Sequence, residues 1–302
     1  MELRHLRYFV AVATELSFSR AAESQFVAQP ALSTQIADLE KEIGARLLFR
    51  NKRVVRLTPA GSLFLKEARA ILKAADEAKS KALNASRGEL GQLRVGFFAA
   101  PMMYLLPDLI RSFRLEYPKV TTHLHELTPD RQLVAFANDE LDIGFTRPLP
   151  SGNLGLTEEV LFRERFFAVV PQTHRLATRK RVRLVDLANE PFVLLNREVA
   201  CGLYDHIIHS CREHAFSPDV KLSPELMTAV LTLVAAEQGV SIIPEGVRNL
   251  RRRQVAYIPI SPAIEPIPLV MCWRNDSISP TMPNFRKLVQ QCLPRLRQAE
   301  RT

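Results

Sequence analysis

Cysteine is scarce in this chain: Cys201, Cys211, Cys272 and Cys292 are the four among 302 residues. So few, spaced so widely, exclude a disulfide scaffold. No apolar run approaches the ~18 residues that signal a membrane-spanning helix. The opening MELRHLRYF has neither an apolar segment nor a small-residue cleavage site, which argues against a secretory leader and for a reducing cytoplasm. GxSxG, Walker, GxGxxG and HExxH motifs are all missing. No catalytic residue and no cofactor is therefore expected. A metal is not expected either. His123 and His125 read as an exposed pair on one strand face, and His206, His209, Cys211 and His214 spread around a helix. Acid is in short supply: 32 Asp and Glu against 41 Lys and Arg give a net charge of +9, which favours an anionic partner such as nucleic acid or an anionic ligand.

What is present divides the chain. At 302 residues, two or three domains are expected. Residues 1–58 read as a compact helical unit whose helix-turn-helix spans about 18–37. Leu3, Leu6, Phe9, Val10 and Val12 give a first helix with one apolar face. Ser17 is placed to cap a second helix, Pro30 suits the first turn of a third, and Gly44 ends it. Leu32, Ile36, Leu39 and Ile43 form one apolar stripe on that third helix. Its other face carries Gln29, Ser33, Thr34, Gln35 and Asp38, small groups that can hydrogen-bond base edges in a major groove. Next, ARLLFRNKRVVRLTPAG alternates like a hairpin, with Arg46, Arg50, Lys52, Arg53 and Arg56 and no acid between the first and last of them. Three helices and a basic two-stranded flap make a winged helix-turn-helix, in which Arg50, Lys52 and Arg53 would lie against phosphates.

A long helix follows over residues 59–88, capped by Thr58. Phe64, Ala68, Ile71, Ala75, Ala78 and Ala82 repeat every three and four residues, a seam suited to pairing with a second copy. From residue 92 to 302 strands and helices alternate, which reads as α/β with mostly parallel sheets. A returning strand near residue 270 suggests two subdomains, about 92–161 with 266–302 and about 162–265. Such a hinged pair holds a ligand in its cleft, in the manner of a periplasmic binding protein. A secreted solute-binding protein is the rival from another class. The DNA reader and the opening residues argue against it.

The runs MELRHLRYFVAVA, LSFSRAAE, AQPALSTQIADLEKEIGARLLFR and LTPAG, in this order, closely resemble the N-terminal domain of LysR-type transcriptional regulators. LRVGF, ELDIGFTR, ERFFAVVP and LVAAEQGVSIIP resemble their effector domain. Within the family the chain looks most like regulators of aromatic-acid degradation, the hydrocinnamic, benzoate and muconate types. The resemblance implies a cytoplasmic homotetramer, built as a dimer of dimers through the long helices. It would bind an inverted repeat at a promoter, work with RNA polymerase, and respond to a small effector. The family's base-reading positions fall on Gln29, Pro30, Ser33 and Thr34. Many relatives have Arg at the place of Thr34 and Ser at the place of Ala28, so one guanine donor and one helix cap are missing here.

Helix starts mark the candidate effector site. Ala99, Ala100, Pro101 and Met102 lie where a strand passes into a helix, Ser223 to Glu225 open another helix, and Cys201, Gly202 and Leu203 open a third. Such ends attract anions. By the resemblance, Ala100 replaces a Ser that helps hold a carboxylate, and Thr128 lies beside the position of a second hydroxyl contact, where Pro129 stands instead. Arg147 and Arg197 are candidate partners for a carboxylate, with a hinge or surface salt bridge as the alternative. Phe97, Phe98, Met102 and Met103 are candidates for an apolar wall, about half of them being core. The functional alternative is a thiol-based redox regulator using Cys201 and Cys211.

Overall fold

A computed structural model of the chain describes residues 1–50, 54–98, 102, 105–148, 155–250 and 252–299, the side chains of residues 50 and 295–299 excepted. It divides into two compact units, Met1–Asn84 and Ala85–Thr302.

The first unit is built on α1 (Leu3–Glu15), α2 (Phe18–Ser24) and α3 (Gln29–Ile43). Their apolar stripes meet in one core, where Leu6, Phe9, Val12, Ala21, Leu32, Ile36 and Leu39 are all buried. Burying each large member contributes about 1.5–3 kcal/mol. The Ser17 side chain caps α2 by accepting the Arg20 N–H at 3.4 Å. Gly44 ends α3 in the left-handed region. Between α2 and α3 the Val27 N–H reaches back to the Ala22 carbonyl at 3.0 Å, and Phe26 takes a left-handed φ of +56°. That is a Schellman ending, where glycine is the usual occupant.

Strands β1 (Leu48–Arg50) and β2 (Val55–Leu57) form the antiparallel wing. The Glu40 carboxylate pins its start by accepting the Leu47 and Leu48 N–H groups at 2.8 and 3.0 Å. The Thr58 hydroxyl accepts the Gly61 N–H at 2.8 Å and so caps α4 (Pro59–Ser86). Gly61 permits the close approach there, because a Cβ would stand 1.9 Å from the Leu47 carbonyl oxygen.

The long helix differs from a uniform pairing seam. Ala68 is fully buried and Phe64 packs on Phe9 with ring centroids 5.2 Å apart, so both belong to the first unit's own core. The same three-and-four spacing serves an intrachain face as well as a coiled coil. Ile71, Ala78 and Ala82 are exposed and Ala75 half-buried.

In the second unit, β3 (Leu90–Phe97), β4 (Lys119–Glu126), β5 (Ile143–Thr146), β6 (Leu156–Glu164) and β12 (Ile267–Arg274) form a five-stranded sheet ordered β4-β3-β5-β12-β6. Helices α5 (Leu106–Glu116) and α9 (Met282–Ala299) contribute Leu109, Phe113, Phe285 and Val289 to its core. Helix α6 (Pro129–Ala137) packs through Ala135 and Phe136 against Leu141 and Cys272. A second sheet is ordered β10-β7-β11, from β7 (Phe166–Pro171), β10 (Ser241–Pro244) and β11 (Val255–Pro259). Every residue of β7 is buried. Its alternate side chains enter two cores, Phe166, Ala168 and Val170 in one and Phe167 and Val169 in the other. Those cores also take residues from α7 (Cys201–Glu213) and α8 (Met227–Ala235). A short parallel pair, β8 (Pro191–Val193) with β9 (Asp219–Leu222), completes the unit.

The sheets are mixed rather than mostly parallel. Strand β3 pairs in parallel with β4 and β5, but β12 runs antiparallel to β5 and β6, and β7 is antiparallel to both its neighbours. The chain leaves the first sheet after β6 and re-enters it at β12. That return reverses the strand direction, which apolar runs in a sequence do not encode.

Candidate functional site

Two surfaces carry chemistry. On α3, Gln29, Pro30 and Thr34 are exposed and Ser33 is half-buried. The Thr34 hydroxyl donates to the Pro30 carbonyl at 3.1 Å, which leaves its oxygen lone pairs outward. Gln35 is partly engaged: its Oε1 lies 2.9 Å from His5 Nε2. Since His5 Nδ1 accepts the Glu2 N–H at 3.2 Å, Nε2 is the donor to Gln35. The N-cap Ala28 provides no side-chain cap, so the first N–H groups of α3 are open. Arg50 lies on β1, and Lys52 and Arg53 fall outside the described residues. Phe26, just ahead of this helix, is 96% exposed. Its left-handed backbone costs a non-glycine residue roughly 1–2 kcal/mol.

The second surface is a cavity of about 450 Å³ in the second unit. Three helix N-termini open into it: α6 through Thr128, Pro129 and Asp130, α7 through Ala200, Cys201 and Gly202, and α8 through Leu226 and Met227. Among the described residues none of these ends receives a side-chain cap. Each presents unpaired N–H groups and the positive end of a helix dipole. Gln132 holds the first of them in place. Its Nε2 donates to the Leu127 and Phe145 carbonyls, both at 3.1 Å, tying α6 to β5. Apolar walls come from Phe98, Leu127, Leu133, Leu195, Val199, Leu203 and Val247. Glu126, Asp130, Glu198 and Glu225 also border the space, but all four are exposed, which puts them at its rim.

Arg147 is the cation of the interior, at 5% exposure. It forms an ion pair with Glu164, itself 3% exposed, and its Nη1 donates to the Pro268 carbonyl at 3.1 Å. Glu164 Oε1 accepts the Gly246 N–H at 2.8 Å. The guanidinium lies 5.3 Å from the Phe98 ring centroid. Arg147 is thus the hinge ion pair first, joining the end of β5 to the two crossings between sheets. Its Nε, with the hydroxyls of Thr128 and Thr146, is buried and finds no hydrogen-bond partner among the described residues. Buried polar groups left unpaired call for an explanation, and a bound polar ligand is one.

Residues 3–62 match the profile of the bacterial regulatory helix-turn-helix protein, lysR family, and residues 86–293 match the LysR substrate binding domain. The chain belongs to the LysR family of DNA-binding transcriptional regulators. Among its relatives, the Hca operon transcriptional activator HcaR of Escherichia coli strain K12 is 36% identical over 294 residues, 97% of this chain and 98% of that one. The uncharacterized HTH-type transcriptional regulator YnfL of the same strain is 38% identical over 290 residues, 95% of this chain and 97% of its own. The crystal structure of full-length CbnR with its target DNA superposes with a TM-score of 0.83 at 29% identity, covering 97% of this chain and 100% of that one. Both relatives are named as transcriptional regulators.

Within this LysR-type regulator, the cavity gathers Thr128, Pro129, Arg147, Cys201, Gly202 and Leu203 from among the residues expected at an effector site. Ala99, Ala100 and Pro101 fall outside the described residues. Two expectations need correction. Met102 is fully buried, packed into the core of the five-stranded sheet and not among the residues lining the cavity. Arg197 is exposed and held by Asp205 through bonds of 2.7 and 2.8 Å, away from the cavity lining. The hydrogen-bonded Arg197 guanidinium holds the Asp205 carboxyl below its ordinary range, and the Asp205 carboxylate in turn raises the pKa of the guanidinium. The third helix end enters at Leu226 and Met227, not at Ser223 and Pro224. Leu127, Leu195, Leu226, Met227 and Val247 were missed, since a ligand wall and a core share one composition.

The redox alternative meets a geometric obstacle. Cys201 and Cys211 lie on one continuous helix, α7, ten residues and about 15 Å apart along its axis. A disulfide tolerates about 7 Å between Cα atoms. Cys201 is exposed, but Cys211 is buried, and burial pushes its thiol up to about 12. No group of three or more His, Cys, Asp or Glu among the described residues could hold a metal ion. No helix among them is long and apolar enough to cross a membrane.

Proposed function

We propose that this regulator controls a promoter in response to a small carboxylate with an apolar, aromatic or unsaturated body, bound in the second-unit cavity. The observation that carries the reading is the convergence of three uncapped helix N-termini with the buried Arg147 on one apolar-walled space. Helix N-termini favour a negative group, and apolar walls favour a hydrocarbon body. A carboxylate at this floor would satisfy Thr128 Oγ1 and compete for Arg147 with Glu164, changing the hinge. On the DNA side, Gln29, Ser33 and Thr34 would read base edges while Arg50, Lys52 and Arg53 contact phosphates. Pairing through Ile71, Ala75, Ala78 and Ala82, and then of pairs, would match an inverted repeat. Promoter control in the cytoplasm would bring the complex to RNA polymerase.

A thermal-shift panel tests this reading with phenylpropionate, cinnamate, benzoate and muconate, with peroxide in parallel. One acid should raise the melting temperature in a concentration-dependent way, since a ligand at ~100 times its Kd adds ~2.7 kcal/mol. Response to peroxide alone, abolished by Cys201→Ser, would replace the carboxylate reading with the thiol one.

A further inference from the structure

We propose that Phe26 reads DNA through an apolar contact with a thymine methyl group. The inference rests on the DNA-binding role of the first unit and adds a reader that the polar face of α3 does not contain.

Phe26 is 96% exposed, while the apolar cluster of the first unit takes in Phe18 and Val27 and leaves it out. The ring therefore gives nothing to the core. Its φ of +56° is a conformation that glycine or asparagine adopts at lower cost, so the ring gives nothing to the backbone either. Strained positions of this kind persist where function uses them. The location supplies the use. Phe26 stands three residues before Gln29, and its neighbour Val27 is anchored in the core. The turn that sets the entry of α3 thus also places the exposed Phe26 a few residues ahead of the N-terminal end of that helix. In helix-turn-helix proteins that end approaches base edges. A phenyl ring has no hydrogen-bonding group, and the apolar feature a base pair shows in the major groove is the thymine C5-methyl. Gln29, Ser33 and Thr34 would read donors and acceptors, and Phe26 would read the methyl.

The test begins by enriching duplexes from a randomised library with the full-length protein. Fluorescence anisotropy then compares the wild type, Phe26→Gly, Phe26→Asn and Gln29→Ala on the enriched duplex and on versions with deoxyuridine replacing each thymidine in turn. Both Phe26 variants should bind the enriched duplex about 10-fold more weakly, about 1.4 kcal/mol. Their dependence on salt should match the wild type, because phosphate contacts are kept. Their melting temperatures should hold or rise. One thymidine replacement should weaken the wild type and leave Phe26→Gly unchanged. Wild-type affinity in both Phe26 variants, while Gln29→Ala weakens binding, would remove Phe26 and leave the DNA-binding reading intact. Equal weakening on every duplex with no methyl-sensitive position, or a binding loss that accompanies a lowered melting temperature, would also overturn the proposal. Failure of the wild type to enrich any duplex would remove both.

Discussion

The two units of this regulator place their working surfaces by opposite means. In the first, the residues proposed to face DNA, Phe26, Gln29, Ser33 and Thr34, lie close together in the chain on one turn and one helix. Their geometry follows from a local rule, since burying Leu32, Ile36 and Leu39 forces the opposite face outward. In the second, the cavity joins Thr128, Arg147, Cys201 and Leu226, spread over about a hundred residues on four different elements. No local rule brings them together. Their meeting follows from sheet topology and from a chain that leaves one sheet and later returns to it. The two surfaces share one device. Helices α2 and α4 have Ser17 and Thr58 as side-chain caps, whereas α3, α6, α7 and α8, which begin at these two surfaces, have none, a property they share with the core helix α5. A helix start without a cap keeps its N–H groups for something else, and phosphate or carboxylate oxygens fit them.

Substitutions in one unit should leave the other unaffected. The largest effect is expected at the hinge. Glu164→Ala leaves Arg147 charged and buried without its partner, which should cost about 3–5 kcal/mol. Calorimetry of the full-length protein should show that loss in the second unit while the first keeps its transition. Next is Gln29→Ala, which should weaken binding to an enriched duplex by about 1–3 kcal/mol at one base position. Its effector affinity, read by titration calorimetry, should not change, and a change would show that the surfaces are not separable in this way.

A smaller effect of opposite sign is expected from Ala28→Ser. A hydroxyl at the N-cap of α3 should stabilise the first unit by about 1 kcal/mol, read as a higher melting temperature. The fourth effect is nil at neutral pH and appears only in alkali. All four cysteines lie in the second unit. Burial pushes the Cys211 thiol from about 9 up to about 12, and burial raises Cys272 as well. Above the ordinary thiol range the unfolded chain loses these protons while the folded chain keeps them. Stability should therefore be complete below about pH 9 and fall as pH rises beyond it. Maleimide labelling at neutral pH should mark the exposed Cys201 and spare Cys211 until the protein unfolds.

The sequence made the first unit legible because its signals are periodic and close together. Ser17, Gly44 and Thr58 mark helix ends by chemistry that needs no tertiary context. Its one misreading, Phe64 and Ala68 as a pairing seam, arose because an intrachain face has the same spacing as a coiled coil. In the second unit, alternation revealed the class of fold but not strand direction, so β12 was not seen to reverse the sheet. Arg147 and Arg197 looked alike as isolated arginines. Their partners, Glu164 and Asp205, separate a buried hinge from an exposed pair, and neither spacing announces itself. Phe26 left no trace in apolar periodicity. Only its φ and its exposure together set it apart.

We propose that the cavity of the second unit holds a carboxylate at open helix ends. Titration calorimetry of the full-length protein with each acid of the panel and with its neutral amide tests it most directly. At least one acid should bind saturably, with its amide bound at least about tenfold more weakly, since the amide lacks the charge that helix N-termini favour. Binding of the amide as tightly as the acid, or no binding by any acid of the panel, would contradict it.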